Sequence, residues 1–306
     1  MKPLNVLGWI LRFIVLVILF NIFFILGAQL VSGLIPNIKS EPGLVSAETA
    51  ILIISIVSTL LVMALVLSSR WRGWKLVLGL SLAYYGAVTF VMQIETWYFL
   101  SNITVGVELL PRLFLMGIPI AFIFVPLAVF ILGKGKGKGK SDFVSNPGRI
   151  MEGKEWVLKL VLIAMTYLVL YWSAGYFIAW QNPELRAFYG NPGEMLPLWT
   201  HTINTFHTDP GLFPFQILRA MLWTLCALPV IRGSKVNARW TAILVGLFFS
   251  IPQNIGHILA NPLLPIASIR FSHMIETASS TFIFGMIVVW LLHREHKSIG
   301  DLFGLK

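Results

Sequence analysis

Apolar residues come in eight long runs separated by shorter polar segments. The runs cover approximately 9–34, 47–68, 74–98, 110–132, 156–180, 213–231, 238–259 and 268–292. Most reach the roughly 20 residues that a helix needs to cross a hydrocarbon layer of about 30 Å. An unpaired backbone amide in lipid costs several kcal/mol, so each run should be helical, and the alternating pattern of a membrane barrel is absent. The pattern predicts an all-α, polytopic transmembrane helical bundle of about eight spans.

Composition agrees with this prediction and excludes an ordinary soluble domain. Of the 306 residues, 57% are hydrophobic and only 12% are charged, whereas soluble chains have about 25% charged residues. We therefore expect a multi-pass membrane protein, in the bacterial inner membrane or an equivalent membrane.

The basic residues predict the orientation of the bundle. With both termini cytoplasmic, 18 of the 23 Lys and Arg residues lie in or next to cytoplasmic segments, as the positive-inside rule requires. The net charge of +10 thus reports topology and contact with anionic membrane lipids. It does not predict nucleic-acid binding, because no basic face with interleaved aromatics stands outside the loops.

A Gly/Lys-rich segment, residues 134–155, separates the first four spans (1–133) from the last four (156–306). Such a sequence is a flexible cationic linker. Two roles are open: contact with lipid headgroups, or a solvated tether that only sets topology. The headgroup contacts would come from its repeated lysines, Lys134, Lys136, Lys138 and Lys140.

A second segment, 181–212, is long for a loop and rich in aromatic residues, Pro and His. It lacks the composition of a disordered chain, so we expect an ordered outer cap that contains short helices. The stretch "NPELRAFYG" predicts one of them, with Asn182 as the N-cap, Pro183 in the first turn and Gly190 as the stop.

Ionisable residues inside the spans are the strongest functional signal. Glu95 lies near the outer end of the third span, His257 near that of the seventh, and His273 and Glu276 lie three apart on the eighth. With the predicted topology, all four lie in the outer part of the membrane. A carboxylate among apolar residues needs a cation, a proton or hydrogen-bond donors.

Two carboxylates and two imidazoles at one depth predict a site for a divalent metal such as zinc, or for protons. Supporting residues would be Gln253, Asn254, Arg270 and Ser280, and the cap could add His201 and His207 as ligands. Two other interpretations remain open. The polar groups could only join helices or reach the interface, with Arg270 pairing with Glu276 or a lipid phosphate, or they could line a pocket for an organic substrate.

Three classes of function fit these features, and whether the protein is an enzyme stays open. A small-solute or ion transporter is favoured by the intramembrane Glu and by prolines in the spans, such as Pro119, Pro126 and Pro252. A metal-dependent hydrolase acting on lipid or envelope material is favoured by the His-containing cap. A non-catalytic subunit, sensor or lipid-binding protein is the third. Motifs such as "HExxH", a phosphate-binding Gly-rich loop and a nucleophile elbow are absent.

Overall fold

The computed structural model describes residues 3–136 and 153–293. Within these ranges the regular secondary structure consists of helices, and no β-strand is present. Eight helical segments in the described chain are long and apolar enough to cross a membrane. They are α1 (Pro3–Gln29), α2 (Ala47–Ser68), α3 (Gly73–Leu100), α4 (Leu109–Ile131), α5 (Gly153–Gln181), α8 (Leu212–Gly233), α9 (Ala238–Ile258) and α10 (Ala267–Leu292). The cap contributes α6 (Pro183–Phe188) and α7 (Leu198–Thr208). The predicted all-α multi-span bundle is confirmed.

Two of the spans contain a π-helical turn that the hydrophobic pattern did not predict. In α3 this turn covers Tyr85–Phe90, and in α4 it covers Ile120–Phe124. The second follows Pro119, whose missing N–H prevents the regular helical hydrogen bond. Pro252 is also accommodated within a span, since α-helical geometry continues to Asn254 before a 3-10 turn ends α9.

Among the described helices, α9 and α10 pack together most extensively, and their close approach depends on two glycines. A Cβ atom at Gly285 would lie 2.8 Å from the Cα of Gly246 and 2.9 Å from the carbonyl oxygen of Val245. Small residues of this kind let two membrane helices approach backbone to backbone. The crossing fixes α10, which carries His273 and Glu276, against α9, which carries His257.

The first and last four spans share one hydrophobic core. Tyr84 of α3 packs on Phe248 of α9 with ring centroids 6.2 Å apart, and buried residues of α2, α3, α8, α9 and α10 belong to the same cluster. By contrast, α1 lies at the periphery, with only 17% of its most apolar window buried. The two halves on either side of the linker therefore pack against each other.

The cap is anchored on the bundle by side-chain hydrogen bonds. Asn182 caps α6 by accepting from the backbone N–H groups of Glu184 and Leu185, as the sequence predicted, and Gly190 ends the turn with φ +78°. The amide of Asn182 also donates to Ser268 and Ser272 of α10.

Candidate functional site

An ion pair between a buried arginine and a partly buried glutamate joins α3 and α8 below the cap. The guanidinium of Arg219 donates to the carboxylate of Glu95 through a short hydrogen bond, and it also donates to the Gln216 amide oxygen at 2.9 Å. Arg219 is only 1% exposed. A charged residue inside a membrane span is usually paired with an opposite charge or with backbone carbonyls, and here Arg219 and Glu95 neutralise each other.

Arg219 was not predicted from the sequence as a site residue. A signal was available: Arg219 lies seven residues inside α8, too deep for an interfacial residue at 1.5 Å per residue. A lone intramembrane cation of this kind predicts a carboxylate partner on a neighbouring span.

A second polar chain runs from the cap into α10. The Tyr189 hydroxyl lies 3.1 Å from Nε2 of His273, and Nδ1 of His273 lies 3.1 Å from a carboxylate oxygen of Glu276. Burial, with smaller effects from the charges of Glu95 and Glu276, raises the pKa of Tyr189 above its ordinary value, so the phenol keeps its proton. It can then donate to His273, whose other nitrogen donates to Glu276.

The two carboxylates border one small cavity. Glu95 and Arg219 line it on one side and Glu276 on the other, and the remaining lining residues are Tyr167, Leu170, Tyr171, Thr277, Ser280 and Thr281. With its open mouth the cavity encloses about 280 Å³ of empty space, but the room for a whole solvent molecule is that of about one water. The site therefore suits a water or a small ion better than an organic substrate.

An aromatic layer closes the cavity on the side away from the cap. The ring of Phe284, two turns deeper on α10 than Glu276, packs against Tyr167 at 4.8 Å and against Phe249 at 6.2 Å between centroids. Trp223 extends the layer, 4.5 Å from Phe249. All four residues are at most 4% exposed, so the cavity stops at this layer.

His257 lies near this site without joining it by a hydrogen bond. It falls in the last 3-10 turn of α9, within electrostatic range of His273 and Arg270. Its imidazole makes no hydrogen bond to another residue in the described part of the chain. The structure thus brings Glu95, His273 and Glu276 to one cavity and its rim, and leaves His257 beside them.

The residues expected to support the site behave differently from one another. Ser280 lines the cavity. The amides of Gln253 and Asn254 instead donate to carbonyls of their own helix, those of Phe249 and Ser250, and each keeps a buried side-chain oxygen without a partner. These two side chains therefore brace α9.

Arg270 makes neither of the contacts considered from the sequence. Its guanidinium donates to four backbone carbonyls, those of Leu264 and Pro265 before α10 and those of Glu41 and Pro42 after α1. It is 1% exposed and binds these two loops to each other, one turn above His273. Backbone carbonyl oxygens can accept hydrogen bonds from the N–H groups of a buried guanidinium, which explains why no carboxylate partner is needed there.

The two cap histidines do not line the cavity. His201 packs between aromatic rings of α5, with centroid distances of 5.2 Å to Trp172 and 5.4 Å to Trp180, and burial lowers its pKa. His207 is exposed at the end of α7. Within residues 3–136 and 153–293, no group of three or more His, Cys, Asp or Glu side chains is arranged to hold a metal ion.

The linker lysines can be located only in part. Lys134 is buried, and its ammonium donates to the Ser69 carbonyl at 2.6 Å. Burial lowers the pKa of Lys134, and the charges of Lys235 and Arg72 lower it further. Lys136 is exposed, whereas Lys138 and Lys140 lie outside the described residues.

The site thus contains two carboxylates beside one cavity with room for about one water. Glu95 is paired with Arg219, which is permanently charged, and Glu276 is paired with His273, which is charged only when protonated. No protein-family model, no curated protein and no solved structure matches this chain.

Proposed function

We propose that this multi-pass membrane protein is a proton-coupled transporter of a small solute or ion, and that the His273–Glu276 pair carries the coupling proton. The observation that supports this is the distribution of charge. Arg219 neutralises Glu95, and Arg270 lies within electrostatic range of Glu41. Glu276 is left with His273, a partner that is charged only when protonated.

Electroneutrality then determines what the pair does. With one added proton, shared between imidazole and carboxylate, the site has no net charge. Without it, the site is one unit negative inside a low-dielectric span, where an uncompensated charge is costly. The pair should therefore exchange a proton whenever a compensating charge enters or leaves, which is the elementary step of proton coupling.

The surroundings support protons over a transition metal as the bound species. Both ring nitrogens of His273 are engaged, by Tyr189 and by Glu276, and one carboxylate oxygen of Glu95 is held by Arg219. A metal would have to displace these partners to gain its ligands. A proton needs no such displacement.

The test is a pH-jump experiment on protein reconstituted in a supported membrane. Lowering the pH on the cap side of wild type should give a transient charge movement as protons enter the membrane field, and Glu276→Gln should abolish it. Glu194→Gln is the matched control, because Glu194 is an exposed cap carboxylate outside the site. A charge movement that survives Glu276→Gln would contradict the proposal.

A membrane hydrolase is the second candidate, favoured by one observation. The cavity has room for about one water between two carboxylates, and a carboxylate that positions a water can act as a general base. Hydrolysis needs no opening of the aromatic layer, whereas transport does. Cross-linking that layer, through cysteines introduced at Phe249 and Phe284, should stop transport and leave hydrolysis intact.

A further inference from the structure

The cavity beside Glu276 has the chemistry of a cation site. Its lining offers carboxylate oxygens from Glu95 and Glu276 and hydroxyl oxygens from Thr277, Ser280 and Thr281, together with the two phenols of α5. No sulfur lines it, and the nearest imidazole has both nitrogens engaged. Oxygen-only surroundings suit hard cations and not soft transition metals.

One side-chain oxygen of a residue that lines this cavity has no hydrogen-bond partner. Glu276 is 7% exposed, and only one of its two carboxylate oxygens is hydrogen-bonded, to His273. In the described part of the chain the other oxygen accepts no hydrogen bond. It lies toward α5, 4.0 Å from where a Cβ atom at Gly175 would be. A carboxylate oxygen that accepts no hydrogen bond, on a residue with so little exposed surface, can accept a cation as its ligand.

Charge and size select the cation. The deprotonated site is one unit negative, so a monovalent ion restores neutrality, whereas a divalent ion would leave a positive charge beside Arg219. Room for about one water admits a dehydrated alkali ion and excludes an organic ammonium of larger volume.

We infer that the cavity formed by Glu95, Arg219, Glu276 and the hydroxyls of α10 binds a small monovalent cation such as Na⁺ in competition with the proton. This inference rests on the proposed function and adds its co-substrate: the protein exchanges one proton for one cation. Four other titratable groups lie around Glu276 and affect how readily it releases its proton. They are His273 on the same helix, Tyr167 and Tyr171 on α5, and Tyr189 in the cap; His257 of α9 lies beyond them, beside His273 and Arg270.

The experiment measures the thermal stability of the full protein in nanodiscs while NaCl replaces choline chloride at constant ionic strength. At pH 8.5 we expect Na⁺ to raise the Tm in a saturable way, with Mg²⁺ ineffective at equal ionic strength. As the pH falls, the Na⁺ concentration for half-maximal effect should rise, approaching tenfold per pH unit. That competition in the wild-type protein needs no variant that might misfold.

Variants locate the effect. Glu276→Gln should remove the Na⁺ response, Glu276→Asp should retain a weakened one, and Glu194→Gln should leave it unchanged. No Na⁺ response at any pH, or one that is independent of pH, overturns the inference. If the proton charge movement through Glu276 persists in that case, the proposed proton site stands and only the cation is wrong. If the charge movement is also absent, both fail.

Discussion

At the scale of single residues, Arg219 decides how much charge the site can hold. It lies between Glu95 and Gln216 at 1% exposure, and its Nε atom is buried without a partner. A guanidinium with so little solvent contact depends on its acid. The Glu95 carboxylate in turn depends on the guanidinium, because the neighbouring His273 is hydrogen-bonded to Glu276.

We predict that Arg219→Leu destabilises the protein by about 2–4 kcal/mol, less than for a fully buried pair, since it leaves the partly buried Glu95 carboxylate unpaired. The double variant Glu95→Gln with Arg219→Leu should regain most of that loss, because neither charge remains. Chemical unfolding in mixed micelles measures both free energies of unfolding. A double variant as unstable as Arg219→Leu alone would show that the side chain acts through packing and not through charge.

How far the sequence reaches at this scale can be judged from particular side chains. Spacing placed His273 and Glu276 on one face, and shared depth placed Glu95 beside them. The rotation of α8, which turns Arg219 toward Glu95, and the path of the loop after α1, which supplies two carbonyls to Arg270, depend on how the helices pack. Neither follows from hydrophobic periodicity, because it does not tell which spans are neighbours.

At the scale of secondary-structure elements, the crossing of α9 and α10 is a close contact on which the site depends. Gly246 and Gly285 let these backbones approach so closely that a methyl group on either would lie within 3 Å of neighbouring atoms. The same two helices carry His257, His273 and Glu276, so the geometry of the site depends on this crossing.

Gly285→Ala should therefore destabilise the protein by about 1–3 kcal/mol, the usual range for overpacking a close contact. Gly8→Ala is the matched control, as Gly8 lies within a helix with no neighbouring atom within 4 Å of an added Cβ. It should be neutral or slightly stabilising. Thermal unfolding in nanodiscs compares the two, and equal effects would mean that the crossing can relax at no cost.

Element boundaries were the most predictable feature of this chain. The second run, 47–68, coincides with α2, and the third to eighth runs begin and end within three residues of the observed spans, whereas the first run, 9–34, begins six and ends five residues after α1 (Pro3–Gln29). Lipid explains this precision, since a span must be apolar over a fixed length. The π-helical turns of α3 and α4 were not predictable in the same way, because they add one residue to a turn without changing its hydrophobicity.

At the scale of the whole molecule, the orientation of the bundle remains a prediction from its charges. The cap, with Glu194 exposed, and the start of the linker, with Lys136 exposed, lie at opposite ends of the bundle. The positive-inside rule places the linker in the cytoplasm and the cap outside.

Single cysteines at these two positions would test it in a Cys226→Ala background. In sealed, right-side-out membranes, a membrane-impermeant maleimide should label Glu194→Cys directly and Lys136→Cys only after permeabilisation. Cys226 is the chain's one cysteine and is buried, so replacing it leaves the introduced cysteine as the one thiol that can react. The opposite labelling pattern would invert the topology and would place the site of Glu276 on the cytoplasmic side.

The hydrogen bonds of Arg270 also bear on whether the last four spans could fold without the first four. Two of its four acceptors come from the segment between the first and second spans, and two from the segment that precedes its own helix. A chain that began at the linker would lack the carbonyls of Glu41 and Pro42, so half of these hydrogen bonds could not form. The late spans therefore need the early ones to satisfy the buried guanidinium as well as for packing, and we expect the two halves of the chain to unfold together.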